Sequence, residues 1–330
     1  MSISLAHVPG VGALIHKMAA VLDSIKINTL TQEHRDDGNW FIKRRNSCGR
    51  AIAKLANFYF RMARIPIHFW CGKKDWQRWE VKCFCMLNHD RFSAEPIGND
   101  TVGISQIPGK SLWVYLTEGK MSRKIVQAAG AELRRAHGMW SDEFNGLWSH
   151  GDASMSNCIY DEKAHRVRLI DFEIIHDKSL SAEQRHADDL LVFLLDLVGY
   201  VSHRSWLPLA ISFLRSYNRP EIMDELRRRL VVPRGLARIW WNVRSNSVNC
   251  RKIRQRFGEL DRAIDRGLVA RHRAEAVERD RQARRVSIAC QVSTPGTPKL
   301  NSRKRRISAS VNAACAVSPS SFPTPMYAPS

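Results

Sequence analysis

Two short polar clusters, HGDASMSN from His150 and IDFE from Ile170, bracket the stretch CIYDEKAHRVRL. No other feature constrains the chain as tightly. Cys158–Tyr160 and Val167–Ile170 read as two strands joined by a turn near Asp161–Ala164. A hairpin returns the chain to its starting point, so Asn157 and Asp171 are expected side by side at its open end. Asp152 lies five residues before Asn157, on the loop that enters the hairpin. Three oxygen-bearing side chains, separated in sequence, are thereby predicted to share one mouth.

Those residue types suit one kind of chemistry. An amide oxygen and a carboxylate are hard ligands for magnesium, which keeps several waters and binds substrate phosphates. A further carboxylate that faces the same space can orient a hydroxyl and accept its proton. Together they supply what phosphoryl transfer needs, since positioning and charge neutralisation do nearly all the work there.

The same residues resemble the protein-kinase-like superfamily at its defining motifs. HGDASMSN is similar to the catalytic loop, and IDFE to the metal-binding Asp-Phe-Gly segment. The resemblance runs from about Ile25 to Tyr200 and is denser in its second half. It implies an α+β, bilobal protein-kinase-like fold, with a small antiparallel-sheet N-lobe and a mainly helical C-lobe. It also implies ATP and Mg2+ as cofactors, Asp152 as catalytic base, and Asn157 and Asp171 as metal ligands. His150 and Asp189 would support the loop, the latter from RHADDLLVFL. A phosphate-anchoring lysine and its glutamate partner are implied upstream. NWFIKRR offers Lys43, and DWQRWEVKCF offers Glu80 on a helix, both in the required order.

The departures are informative. Gly151 stands where an arginine commonly follows the loop histidine, and Glu173 replaces the glycine of Asp-Phe-Gly. Only a short segment separates Glu173 from Asp188 and Asp189, so no long activation loop fits. These features look more like the aminoglycoside and choline phosphotransferases and the bacterial lipopolysaccharide kinases acting on Kdo or core heptose. No G-x-G-x-x-G precedes Lys43.

The remaining pattern places an N-lobe with an inserted amphipathic helix over 1–106, a helical C-lobe over 107–285, and a tail over 286–330. A hairpin is predicted over Lys26–Arg45 around Asp36-Asp37-Gly38, then a helix ended by Pro66, and a second over KKDWQRWEVKCFCMLN. In the first helix Arg50, Lys54, Asn57, Arg61 and Arg64 form a polar stripe on an otherwise apolar, aromatic surface. TVGISQI reads as a strand leading into a hinge near Ile107–Leu112. The tail has no acidic residue beyond Asp280, is rich in Ser, Pro and Thr, and is expected to be disordered.

Composition narrows the partners. The net charge of +20 over 330 residues favours anionic ones. The eight cysteines contain no C-x-x-C pair and read as reduced thiols. No signal peptide is apparent, and LLVFLLDLVGYV is too short to span a bilayer. The sequence thus predicts a cytoplasmic ATP- and Mg-dependent kinase that phosphorylates a lipopolysaccharide-type sugar, peripheral on the cytoplasmic face of the inner membrane. Its expected partners are a nucleotide and an anionic glycolipid or protein acceptor. The alternatives are a protein serine/threonine kinase and a pseudokinase that serves as a binding or scaffold module. Nucleic acid ranks lower, because no recognisable module accompanies the arginines and tryptophans near Trp240 and Trp241.

Overall fold

The computed structural model describes residues 27–245 and 248–267, all within one compact unit. The tail over 286–330 and the first residues of the N-lobe lie outside the described residues.

The N-lobe elements are β1 (Asn28–Arg35), β2 (Gly38–Arg45), α1 (Gly49–Ala63), β3 (Ile67–Phe69), α2 (Lys73–Asn88), β4 (Ala94–Ile97) and β5 (Thr101–Ser105). Strands β1 and β2 form the expected hairpin around a two-residue turn, with Arg35 opposite Gly38. Asp37 fixes that turn by accepting from the Trp40 indole N–H at 2.8 Å. The antiparallel sheet runs β1-β2-β5-β4, which puts Lys43 on a central strand. Strand β4, AEPI, escapes a sequence reading because its proline confines it to a sheet edge. Helix α2 buries Trp76, Trp79, Glu80, Cys83, Phe84 and Leu87, a spacing of three and one that makes a single inward stripe.

The connection to the C-lobe is a strand. β6 (Lys110–Ser111) pairs with Tyr160 and Ile159. Gly109 precedes it at φ 116°, where a Cβ would lie 2.1 Å from the Tyr160 carbonyl oxygen. Only glycine permits that approach.

There follow α3 (Leu112–Thr117), α4 (Arg123–Ala136), β7 (Trp140–Ser141) and β8 (Gly146–Leu147). Next come β9 (Cys158–Asp161), β10 (Arg166–Leu169) and β11 (Ile174–His176). The helices α5 (Ala182–Tyr200), α6 (His203–Tyr217), α7 (Pro220–Arg229) and α8 (Ala237–Arg244) follow, and residues 250–267 are helical. Helix α5 opens with a Ser181/Gln184 capping box. From Arg185 to Val198 it is buried at every position except Asp188, as befits a helix with apolar residues all round its axis. The described residues form a mixed α+β chain, with a four-stranded antiparallel sheet before Lys110 and mainly helices after it.

Two expectations need correction. In the hairpin Cys158 pairs with Leu169, so Asn157 lies opposite Ile170, whose N–H donates to the Asn157 carbonyl at 3.0 Å. Asp171 therefore stands one residue beyond the strand pair. On α1, Asn57 departs from the other members of the polar stripe, which are exposed, because it is half-buried. Its amide clasps the backbone of Phe69 in both directions, at 2.9 and 2.7 Å, and so ties the helix to β3.

Helix α1 is anchored by Ala53 and Phe60, which pack with Ile67, Phe69 and Ile174 in a small separate core. Strand β3 pairs with β11 immediately after the IDFE segment. The insertion between Lys43 and Glu80 thus stitches the N-lobe to the chain just beyond Asp171. No periodicity could have announced a three-residue strand whose partner lies more than a hundred residues away.

Candidate active site

Lys43 on β2 is buried beneath the sheet. Its Nζ donates to Glu80 Oε1 at 3.0 Å and to Asp171 Oδ1 at 2.5 Å. The second oxygen of Glu80, which is fully buried, accepts the Phe172 N–H at 3.1 Å. One glutamate on α2 therefore fixes both the lysine and the IDFE segment. Burial alone would lower the Lys43 ammonium, but Asp171, Glu80 and Glu173 outweigh it and hold the group above its ordinary range. Burial raises the Glu80 carboxyl in spite of Lys43. We take the pair as charged, because each oxygen of Glu80 has a donor.

Two further residues enlarge this cluster. Arg45, 2 % exposed, donates to the Trp70 carbonyl at 2.9 Å and lies 3.6 Å from Glu173. Glu173 also accepts from Asn28. Burial pushes Glu173 up to about 7, and the neighbouring Asp171 adds to the effect. Trp76 lies beneath both cations, 4.6 Å from the Arg45 guanidinium carbon and 5.7 Å from Lys43 Nζ. Three carboxyl groups thus face two cations, and with Glu173 ionised a divalent ion would offset the excess of negative charge.

A cavity of about 410 Å³ opens against this cluster. Lys43, Glu80, Asp171 and Glu173 line one end, and Leu30, Phe41, Ile104, Ile107, Ile159 and Ile170 line the rest. An apolar slot with charged groups at one end matches a planar base joined to phosphates. Strand β1 contributes Asn28 and Leu30 to its lining.

The HGDASMSN loop is held from below. Asp189 on α5 accepts from the His150 N–H at 2.8 Å, from the Gly151 N–H at 2.9 Å, and from His137 Nε2 at 3.0 Å. Burial alone would raise the Asp189 carboxyl; His176, His137 and His150 around it hold it below the carboxylate range. His137 itself is lowered by burial, so we read it as neutral. It then donates through Nε2 and accepts the Tyr217 hydroxyl at Nδ1, 2.8 Å away. Gly151 adopts φ 85°, and a Cβ there would lie 2.7 Å from the Ile174 carbonyl oxygen. That contact with β11, at a positive φ, leaves room for glycine alone at this position.

His150 joins the two motifs. Its ring accepts the Asp152 N–H at 3.3 Å through Nδ1 and reaches the Ile170 carbonyl at 3.1 Å through Nε2. Asn157 Nδ2 donates to the Asp152 carbonyl at 3.0 Å. Its amide oxygen takes only a long contact from Ser156, at 3.5 Å. The Asp171 side chain is 36 % exposed and sits at φ 64°, a backbone region that aspartate tolerates. Both residues therefore keep oxygen free for a cation. Among the described residues no three His, Cys, Asp or Glu side chains form a metal cage. Magnesium completed by phosphate and water requires none.

Two site residues were not singled out from sequence. Asp196 accepts the Met155 N–H at 2.7 Å and so pins the loop between Asp152 and Asn157. Burial pushes its carboxyl up to about 7, the Met155 N–H opposes this, and Asp152 adds to it. Its signal was an aspartate inside an apolar run, seven residues after Asp189 and hence on the same helix face. Arg244 on α8 lies 3.0 Å from Asp152 Oδ1, and nothing in its arginine-rich surroundings distinguished it.

No protein-family profile matches the sequence, and no curated protein matches it at a significant level. Among solved structures, the chain is similar to a Mycobacterium tuberculosis protein solved with erythromycin, at 17 % identity and a TM-score of 0.32. That match covers 56 % of this chain and 51 % of the other, so this chain spans about half the length of that relative. It is also similar to a Plasmodium vivax ethanolamine kinase, at 10 % identity and a TM-score of 0.36, over 76 % of this chain and 85 % of the other. At such TM-scores neither likeness bears on the chemistry, which rests on the geometry above.

Proposed function

We propose that the chain is an ATP- and magnesium-dependent phosphotransferase whose acceptor is a hydroxyl of a lipopolysaccharide-type sugar. One observation carries the phosphotransferase reading. Lys43, Glu80 and Asp171 meet at the charged end of an apolar cavity, and His150 ties that end to the loop bearing Asp152 and Asn157.

In this reading the nucleotide base occupies the apolar slot and Glu80 aims Lys43 at the phosphates. Asn157 and Asp171 would hold magnesium, which neutralises phosphate charge when bound. Asp152 takes the proton of the acceptor hydroxyl. The acceptor oxygen bonds to the γ-phosphorus while the bond from that phosphorus to the β-phosphate bridging oxygen breaks, and ADP departs.

The exposed face of α1 favours a glycolipid. Leu55, Phe58 and Met62 are 67, 62 and 58 % exposed and recur at steps of three and four. On a helical wheel Arg50, Lys54 and Arg61 fall on the adjoining arc, and the helix contains no acid. An apolar strip beside a basic one suits the boundary between acyl chains and anionic head groups. Among the described residues no helix is long and apolar enough to cross a membrane, so the proposed contact is peripheral, on the cytoplasmic face of the inner membrane.

Incubating the protein with γ-labelled ATP, magnesium and either envelope glycolipid or cytosolic protein tests the reading. Label is expected in the glycolipid fraction. Label in protein would select a serine or threonine acceptor instead, and ATP binding without transfer would leave a binding module.

A further inference from the structure

A second pocket, of about 260 Å³, lies between the end of α1, the face of α5, the end of α7 and α8. Its lining includes Arg64, Arg228, Arg229 and Arg244, with Asp188 and Trp240. Arg228 and Arg229 share Glu225, at 2.6 and 3.0 Å, and Arg229 lies 3.4 Å from Asp188. Arg64 is exposed and makes no ion pair with any described residue. Guanidiniums therefore outnumber the carboxylates that line the pocket.

Arg244 connects this pocket to the candidate base. Its side chain is 11 % exposed and stacks over Trp240 at 4.7 Å. Nη1 approaches Asp152 Oδ1 at 3.0 Å yet makes no aligned hydrogen bond. Asp152 is the one ion-pair partner of Arg244 among the described residues, with Asp188 lining the same pocket. A buried guanidinium nitrogen without a hydrogen-bond acceptor is costly, so an oxyanion carried by the acceptor would supply what Arg244 Nη1 lacks. An ammonium in the same pocket would meet four guanidiniums.

We propose that this pocket is an anion-reading acceptor subsite: it takes a phosphate or carboxylate borne by the molecule whose hydroxyl is phosphorylated, and it rejects cationic acceptors such as amino alcohols. The link to transfer rests on the phosphotransferase reading, whereas anion binding does not.

Calorimetric titration of the full chain without ATP tests it, with glucose 6-phosphate, glucuronate, glucose and ethanolamine as probes. The two anionic sugars are expected to bind at least about tenfold more tightly than glucose, and ethanolamine not at all. Arg244→Gln and Arg64→Asn should each weaken glucose 6-phosphate binding about tenfold while ATP affinity stays unchanged. Asparagine tolerates the left-handed backbone at position 64, φ 54°, and that site is exposed, so this variant folds even if Arg244→Gln does not. Arg254→Gln, an exposed arginine outside the pocket, serves as control and should change nothing.

Phosphatidylcholine vesicles carrying phosphatidate distinguish the source of the anion. A defect of Arg64→Asn on vesicles alone assigns it to a lipid headgroup, and a defect with the soluble sugar assigns it to the sugar. Equal affinity for glucose and glucose 6-phosphate, with vesicle binding unchanged in both variants, overturns the proposal. Transfer that proceeds despite that result leaves the kinase reading standing. Anion binding with no transfer does the reverse.

Discussion

Asp152→Asn is expected to lower the rate of phosphoryl transfer about a thousandfold or more while leaving ATP affinity within about twofold. The asymmetry follows from where the residue sits. Its backbone is committed to the fold, since its N–H reaches His150 Nδ1 and its carbonyl accepts from Asn157. Its carboxylate is 27 % exposed, and among the described residues its one ion-pair partner is Arg244. The substitution is isosteric and keeps both backbone contacts, so it removes the proton acceptor and the charge facing Arg244 but leaves the loop in place. It also lies outside the lining of the nucleotide cavity, so ATP should still bind. Single-turnover transfer and ATP titration on the same preparation separate the two effects. A variant that transfers at the wild-type rate would remove Asp152 from the role of base.

Asp189→Ala should act on the fold as well as on turnover. The carboxylate is fully buried and serves the N–H groups of His150 and Gly151 together with His137 Nε2. Its removal strands three donors where water cannot reach them, each worth about 1–3 kcal/mol. A loss of about 3 kcal/mol or more is expected, or roughly 6–12 °C in Tm for a domain of this size. Asp189→Asn is the sharper variant. It keeps one acceptor oxygen but turns an amide toward donors, so it too should lose stability in spite of its shape. Denaturant unfolding of both variants checks this. A change below about 1 kcal/mol in each would mean that the loop is held by something else.

The sequence disclosed this site unevenly, for physical reasons. Local periodicity exposed the β1–β2 hairpin and α2, and residue chemistry exposed Asp152, Asn157 and Asp171. The convergence of Lys43 on Glu80 and Asp171 was reached through motif order, because pairings across so many residues leave no local trace. Strands β3 and β11 stayed hidden for that same cause, and β6 was hidden as a two-residue strand within the hinge. The hairpin register was misplaced by one residue, since CIYD and RVRL carry no turn signal strong enough to fix it. Asp196 was legible in principle, as a charge inside an apolar helix. Arg244 was not, because only the fold brings α8 to the loop.

Buried charge also holds the N-lobe cluster together. Glu80 and Asp171 hold Lys43 without help from a glycine-rich turn, and Arg45 with Glu173 extends that network to the Trp70 carbonyl and Asn28. Pairing of β3 with β11 then fixes the chain after Asp171, in the place of a long activation segment. In the proposed reading this preorganised cluster positions the phosphates.

The central claim is that Asn157 and Asp171 bind a cation together with the phosphates of ATP. Calorimetric titration of ATP with and without magnesium, on the wild type and on Asp171→Asn, tests it most directly. The account predicts tight binding only with magnesium in the wild type, and loss of that dependence in the variant. ATP that binds equally well with or without magnesium in both proteins would contradict it.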